Sequence, residues 1–109
     1  EQIMSYLGDD VELEALVDVP GVWTDPELEW VQKVFSIVDG ITGTKPDVGT
    51  ASYFTDASVL TPAYRNPPTV VLGPGEAAMA HQTDEYCYVH RIDESVALYS
   101  AIIRDWCGI

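Results

Sequence analysis

An α/β fold is predicted for this 109-residue chain by three observations. A short apolar run, Thr69-Val70-Val71-Leu72, ends on Gly73-Pro74-Gly75, the pattern of a buried strand leading into a sharp turn where side chains would obstruct the backbone. Val11, Leu13, Ala15 and Val17 alternate with Glu12 and Glu14, the period of a strand with one dry and one wet face, although Leu16 breaks the alternation. Two longer stretches repeat apolar residues at steps of three and four and stop at glycine, the period and ending of helices.

Taken in order, residues 1–8 read as the last turns of a helix, with Ile3, Met4 and Leu7 on one side and Gly8 near its end. The alternating strand follows, and Val19-Pro20-Gly21 interrupts regular structure before the next element. A helix then starts either with Asp25 as cap and Pro26 in its first position, or with a Thr24/Glu27 capping box. Its apolar face is Leu28, Val31, Phe35 and Val38, widened by Trp30, Val34 and Ile37, and Gly40 is its expected stop. Val48 through Phe54 reads as a short strand, and residues 58–68, with three prolines and Arg65, as a connection in which Arg65 is a solvated charge. Cys87 through Ile92 alternates weakly, with His90 on an open face. The last helix opens at Asp93 or Glu94, carries Val96, Tyr99, Ile103 and Trp106 towards the core, and ends at Gly108.

At this length a domain can bury about 65% of its unfolded surface if its faces close on one another. Eighteen acidic residues against five basic ones give a formal charge of −13, a surface that repels phosphate backbones and anionic lipids and argues against nucleic-acid or membrane partners. No apolar run approaches the ~20 residues of a membrane helix, and the N-terminal residues lack the pattern of a secretory signal. With only Lys33 and Lys45 as lysines, the composition fits either an ordinary acidic surface or one adapted to concentrated salt. The first residue is not Met, so the chain reads as beginning inside a longer protein. Cys87 and Cys107 lack the CxxC spacing of a metal or redox motif. They read as reduced, partly buried thiols of a cytoplasmic protein, with a bridge between them left open.

The chemistry-bearing residues cluster after the Gly-Pro-Gly turn. His81 can offer a neutral imidazole nitrogen to a metal, and Asp84, Glu85 and Tyr86, which follow it, could orient the ring. A zinc site needs three or four ligands and this chain has two histidines, so spacing alone leaves His81 between a ligand and a plain hydrogen-bonding residue. Thr55-Asp56-Ala57 has, on turn chemistry, the residues to cap the turn that follows.

The segment GPGEAAMAHQTDEY, preceded by TVVL and further back by Phe54-Thr55-Asp56-Ala57, resembles the end of the catalytic domain in the acetylornithine deacetylase and succinyl-diaminopimelate desuccinylase family of two-metal hydrolases. The likeness extends through most of the chain and is closer to the acetylornithine deacetylase branch. It implies that residues 1–19 finish an inserted α+β lid and dimerisation domain, and that residues 20–109 form the C-terminal segment of a zinc-exopeptidase-like catalytic domain, a mixed sheet with covering helices. It implies that His81 is a metal ligand and that Thr55, Gly73 and Gly75 contact substrate, with Asp84 or Glu85 either orienting His81 or capping the next turn. Tyr53 and Phe54 depart from the pattern, standing where glycines are usual, which leaves the backbone less room to approach an anion.

The implied reaction is hydrolysis of the amide bond of an N-acyl amino acid, with two zinc ions, or cobalt, polarising the carbonyl and acidifying a water. The other ligands and the glutamate base belong to the family's N-terminal half. No catalytic residue is therefore assigned here, and the chain alone is expected to be inactive. The implied assembly is a homodimer through the lid, and the open edge of half a sheet predicts self-association of the isolated chain. The contrasting readings are a non-catalytic acidic binding or structural module, or a domain in which His81 only hydrogen-bonds to backbone.

Overall fold

The computed structural model describes Tyr6 and residues 10–109. The helix expected at residues 1–8 lies, Tyr6 apart, outside the described residues. Three helices follow in order: α1 (Glu29–Thr42), α2 (Ala57–Ala63) and α3 (Val89–Cys107), with a short 3-10 turn at Ala77–Met79 between the last two.

The start of α1 differs from both capping expectations. Asp25 uses its carboxylate to accept the Glu27 N–H at 2.9 Å, and the Leu28 N–H reaches the Asp25 carbonyl at 3.3 Å. Asp25 and Pro26 therefore make a separate turn, the backbone extends again at Leu28 (ψ 136°), and the helix begins at Glu29. At the other end the chain passes through Gly40 and stops three residues later than expected. Gly43 takes the left-handed conformation (φ 72°) and its N–H closes on the Asp39 carbonyl at 2.8 Å, a role that glycine fills without a Cβ clash.

The connection expected over residues 58–68 contains α2. Its prolines suggested a loop, but Pro62 falls in the last turn of a seven-residue helix, where the missing N–H costs little regular structure. Arg65 and Asn66, both at positive φ, end it, and the Asn66 N–H reaches back to the Thr61 carbonyl at 2.8 Å. The weak alternation at Cys87 through Ile92 is likewise corrected. Residues from Val89 onward are the first turns of α3, where Arg91 and Glu94 pair at 3.0 Å across one turn. His90 is exposed, and Gly108 (φ 68°) ends α3 where the sequence placed its end.

α1 and α3 pack antiparallel. Trp30 near the start of α1 meets Trp106 near the end of α3 edge-to-face at 6.2 Å, and Lys33 pairs with Asp105 at 3.2 Å. Val31, Val34 and Leu98 are the buried apolar residues of this contact, with Ser95 buried beside them. The α3 face is not the expected one. Val96, Tyr99 and Ile103 are exposed, as is most of Trp106 beyond its contact with Trp30, and the stripe one residue earlier, Ser95 and Leu98 with half-buried Ala101 and Ile102, faces α1. A helix with two adjacent apolar stripes does not reveal by period which one has a partner.

Among the described residues there is no strand, so the expected strands at 11–17, 48–54 and 69–72 are not formed within this chain. Strand pairing needs a neighbour to accept and donate its ladder bonds. The 69–72 segment is held in place by other means: the Thr69 N–H donates to Thr24 Oγ1 at 2.9 Å and the Tyr99 hydroxyl donates to the Leu72 carbonyl at 2.8 Å. Between these ties, Val70 and Val71 make no backbone hydrogen bond among the described residues. Val70 and Leu72 are half-buried and Val71 is exposed, so the segment keeps a strand's alternation without its ladder.

The faces do not close on one another within this chain. It exposes 9119 Å² of surface, where a compact monomer of 12.0 kDa exposes about 6,000 Å². Its radius of gyration is 18.1 Å, against about 13 Å for a compact domain of this length. Cys87 and Cys107 are both free and exposed rather than partly buried, which sets aside the bridge.

The two ion pairs among the described residues lie on exposed surface and contribute about 0–1 kcal/mol each, too little to offset the net charge of −13. Raising KCl to about 1 M shortens the screening length from about 8 Å to about 3 Å. Thermal unfolding of the protein is accordingly expected to shift upward as KCl rises from physiological to molar concentration. A flat or falling transition temperature would show that self-repulsion does not limit its stability.

Candidate metal-ligand loop

The Gly73-Pro74-Gly75 turn leads into a run of tight turns. The Met79 N–H donates to the Glu76 carbonyl at 2.8 Å, the Ala80 N–H to the Ala77 carbonyl at 3.3 Å, and the Gln82 N–H to the Met79 carbonyl at 3.2 Å. In the last of these Ala80 has φ −59° and ψ 130°, and His81 follows with φ 62°. That is a type II turn with histidine in the position that normally demands glycine. A non-glycine residue held in the left-handed region costs about 1–2 kcal/mol relative to its relaxed state. The imidazole is exposed, and no hydrogen bond among the described residues involves it. His81 is thus presented outward from a turn whose backbone would be better served by another residue.

Gly73 and Gly75 have no positive φ, and a Cβ at either would meet nothing within 4 Å. The expectation that side chains would obstruct the chain at this turn is therefore corrected: the space over both glycines is free of this chain's own atoms. Cys87 closes the loop from the far side, its thiol donating to the Pro74 carbonyl at 3.3 Å. Asp84 and Glu85 are exposed, with the Glu85 N–H on the Gln82 carbonyl at 3.3 Å. An open depression of about 470 Å³ lined by Ala78, Met79, Gln82, Thr83 and Asp84 lies on this loop. A larger groove, about 710 Å³, runs along α1, Pro68 and Asp105 and takes in none of the candidate residues.

Thr55 stands elsewhere in the chain, at the entrance to α2. Its Oγ1 accepts the Ala57 N–H at 3.3 Å and its carbonyl accepts the Ser58 N–H at 3.1 Å. This is the capped-turn alternative of the sequence reading, yet a hydroxyl that accepts there keeps its own O–H to donate. Tyr86 and Tyr88 form an edge-to-face pair, with centroids 5.3 Å apart and hydroxyls 3.5 Å apart. The Tyr88 hydrogen bond, then the Tyr88 charge, slight desolvation and the Glu76 carboxylate hold the Tyr86 hydroxyl above the usual tyrosine range. The sequence offered Tyr86 as a residue that could orient His81 and gave Tyr88 no function; among the described residues the Tyr86 hydroxyl meets Tyr88, and their spacing of two in a segment of turns was the available signal for that pair.

Among the described residues no group of three or more His, Cys, Asp or Glu side chains is arranged to hold a metal. No helix among them is long and apolar enough to cross a membrane.

Residues 4–105 match the peptidase family M20/M25/M40. The chain belongs to that family. It is 33% identical over 89 residues to acetylornithine deacetylases of Pectobacterium atrosepticum, Pectobacterium carotovorum and Salmonella arizonae, an alignment covering 82% of this chain and 21% of each relative. The chain thus spans about a fifth of the length of these curated relatives. No solved structure matches it. Proteins of the M20 family are generally metal-dependent, and the outward-facing imidazole of His81 is a donor of the right chemistry for such an ion.

Proposed function

We propose that this chain is the C-terminal part of a metal-dependent deacylase that hydrolyses the amide bond of an N-acyl amino acid, as its likeness to acetylornithine deacetylases suggests. The observation that carries the reading is His81: an exposed imidazole in a glycine-type turn, on the loop where the resemblance puts a metal ligand. Residues 1–19 would then end the lid and dimerisation domain, and residues 20–109 would complete a mixed sheet whose other strands lie in polypeptide outside this chain. The unpaired backbone at Val70 and Val71, the exposed α3 stripe and the excess surface all support a chain that is covered by more protein.

Two zinc ions, or cobalt, when bound would supply Lewis-acid polarisation of the amide carbonyl. His81 would hold one of them through a neutral ring nitrogen, fixed in position by the turn rather than by a rotating loop. Asp84 and Glu85, exposed beside it, are the nearest carboxylates in sequence to hold the ring's other N–H. The free space over Gly73 and Gly75 would admit substrate to the backbone, and the Thr55 O–H would donate to the substrate carboxylate. Proton transfer is assigned to a group outside this chain.

The test is the full-length protein. Purified with zinc, it is expected to bind about two ions per chain and to release acetate from N-acetylornithine, with activity lost to a chelator and restored by zinc or cobalt. Full activity without metal would overturn the metal dependence, and protein that neither binds zinc nor releases acetate would overturn the reading in favour of a non-catalytic module.

A further inference from the structure

The backbone from Val70 to Gly75 is held by side chains alone. Among the described residues none of its N–H or carbonyl groups bonds to another backbone group, and two of its carbonyls accept from side chains. The Tyr99 hydroxyl donates to the Leu72 carbonyl at 2.8 Å, the usual length for an O–H donor, at the residue before Gly73. The Cys87 thiol donates to the Pro74 carbonyl at 3.3 Å, in the middle of the turn, and its other acceptor, the Tyr88 carbonyl, lies farther off at 3.6 Å. The ring of Pro74 fixes that residue's own φ, so Gly73 and Gly75, where a Cβ would meet nothing within 4 Å, are the free joints of the turn.

A turn with two free joints keeps one shape only if something outside it takes hold. Tyr99 can do so because α3 is itself fixed, its neighbour Leu98 being 5% exposed between α1 and α3. We propose that Tyr99, with Cys87 as a weaker second tie, is a positioning residue that holds the Gly73-Pro74-Gly75 turn against α3 and so presents its backbone to substrate. Both act through the turn and not on the reacting atoms. The Leu72 carbonyl has a second lone pair, so the Tyr99 bond survives when a neighbouring strand pairs with this segment. His81 is held separately, by the backbone bonds that the Glu76, Ala77 and Met79 carbonyls accept, so loosening Gly73 and Gly75 leaves the imidazole where it is. The inference rests on the deacylase reading for what the turn borders, and on the two hydrogen bonds for what sets its shape.

The test uses the full-length protein with isotope-labelled glycine, the Gly73 and Gly75 amide resonances being assigned by their loss in Gly73→Ala and Gly75→Ala. Relaxation measurements should find both amides rigid in the wild type, with order parameters of about 0.85, and below about 0.6 when Tyr99→Phe and Cys87→Ala are combined. Tyr99→Phe alone should raise KM for N-acetylornithine about three- to tenfold, the worth of one neutral hydrogen bond, with kcat and bound zinc within about twofold of wild type. Cys87→Ala should raise KM about two- to threefold, because a thiol is a weak donor, and Cys87→Ser, which restores a donor, should return it to the wild-type value. Glycine amides that stay rigid in the double variant, or that loosen while KM is unchanged, would overturn the positioning role and leave the deacylase reading intact. Loss of bound zinc or of the urea midpoint in Tyr99→Phe would mean that the hydroxyl supports the fold at large, and would overturn it too. Loosened amides in a protein that binds no zinc and hydrolyses no N-acyl amino acid would overturn the deacylase reading and leave the hold on the turn standing.

Discussion

Replacing His81 by glycine is expected to lower both bound metal and kcat/KM of the full-length protein by at least about 100-fold, since loss of an outer-sphere partner alone costs 10–100-fold. The same change is expected to leave the metal-free protein as stable as before, or up to about 1 kcal/mol more stable, because glycine is the natural occupant of the third position of a type II turn. Opposite signs for activity and stability separate a functional histidine from a structural one. Comparing metal-free forms matters, because a bound ion stabilises whatever holds it. Elemental analysis, steady-state kinetics and urea unfolding of wild type and His81→Gly read all three quantities. Retained zinc and activity would remove His81 from the site, and a metal-free variant destabilised by more than about 1 kcal/mol would mean that the imidazole supports the fold.

Leu98→Ala and substitution of the exposed α3 stripe are expected to behave differently in the chain alone and in the complete protein. Leu98 is 5% exposed and lies between α1 and α3, so its truncation should cost about 2–5 kcal/mol in either setting. With only Val31 and Val34 as further buried apolar residues among those described, that loss should unfold the isolated chain. Val96 and Ile103 are 63% and 57% exposed, so Val96→Ser and Ile103→Ser should each change the isolated chain by no more than about 0.5 kcal/mol. In the full-length protein each should cost about 1.5–3 kcal/mol, the value of burying such a side chain. Denaturant unfolding of both forms decides the matter. Stripe variants that cost nothing in the full-length protein would show that no other part of it covers this side of α3.

Much of the helical content was legible from the residues. The period of α1 identified Val31 and Val34 as inward, and Gly108 marked the end of α3, because apolar spacing and left-handed glycine caps are local properties. The starts were less legible. Asp25 and Tyr88 each stand before the first helical residue for reasons of turn geometry that neither the capping pattern at Thr24–Glu27 nor the alternation at Cys87–Ile92 could separate from the alternatives. α2 was hidden by its own Pro62. Of the candidate site, the loop, its histidine and Tyr86 were legible as chemistry, while the pairing of Tyr86 with Tyr88 was not, since nothing in the order of residues says that the two would meet ring to ring.

By itself the sequence determined the family, the positions of the main helices and the presence of one metal-competent imidazole after a Gly-Pro-Gly turn, because these depend on residue type and near-neighbour spacing. Only the tertiary structure decided which stripe of α3 meets α1, that the 69–72 segment is tied by Thr24 and Tyr99 rather than by a ladder, and that His81 occupies a glycine position facing outward. The physical reason is one of range. A helix period or a cap is fixed within a few residues, whereas burial, strand pairing and the direction of a side chain depend on what packs against it from elsewhere in the polypeptide.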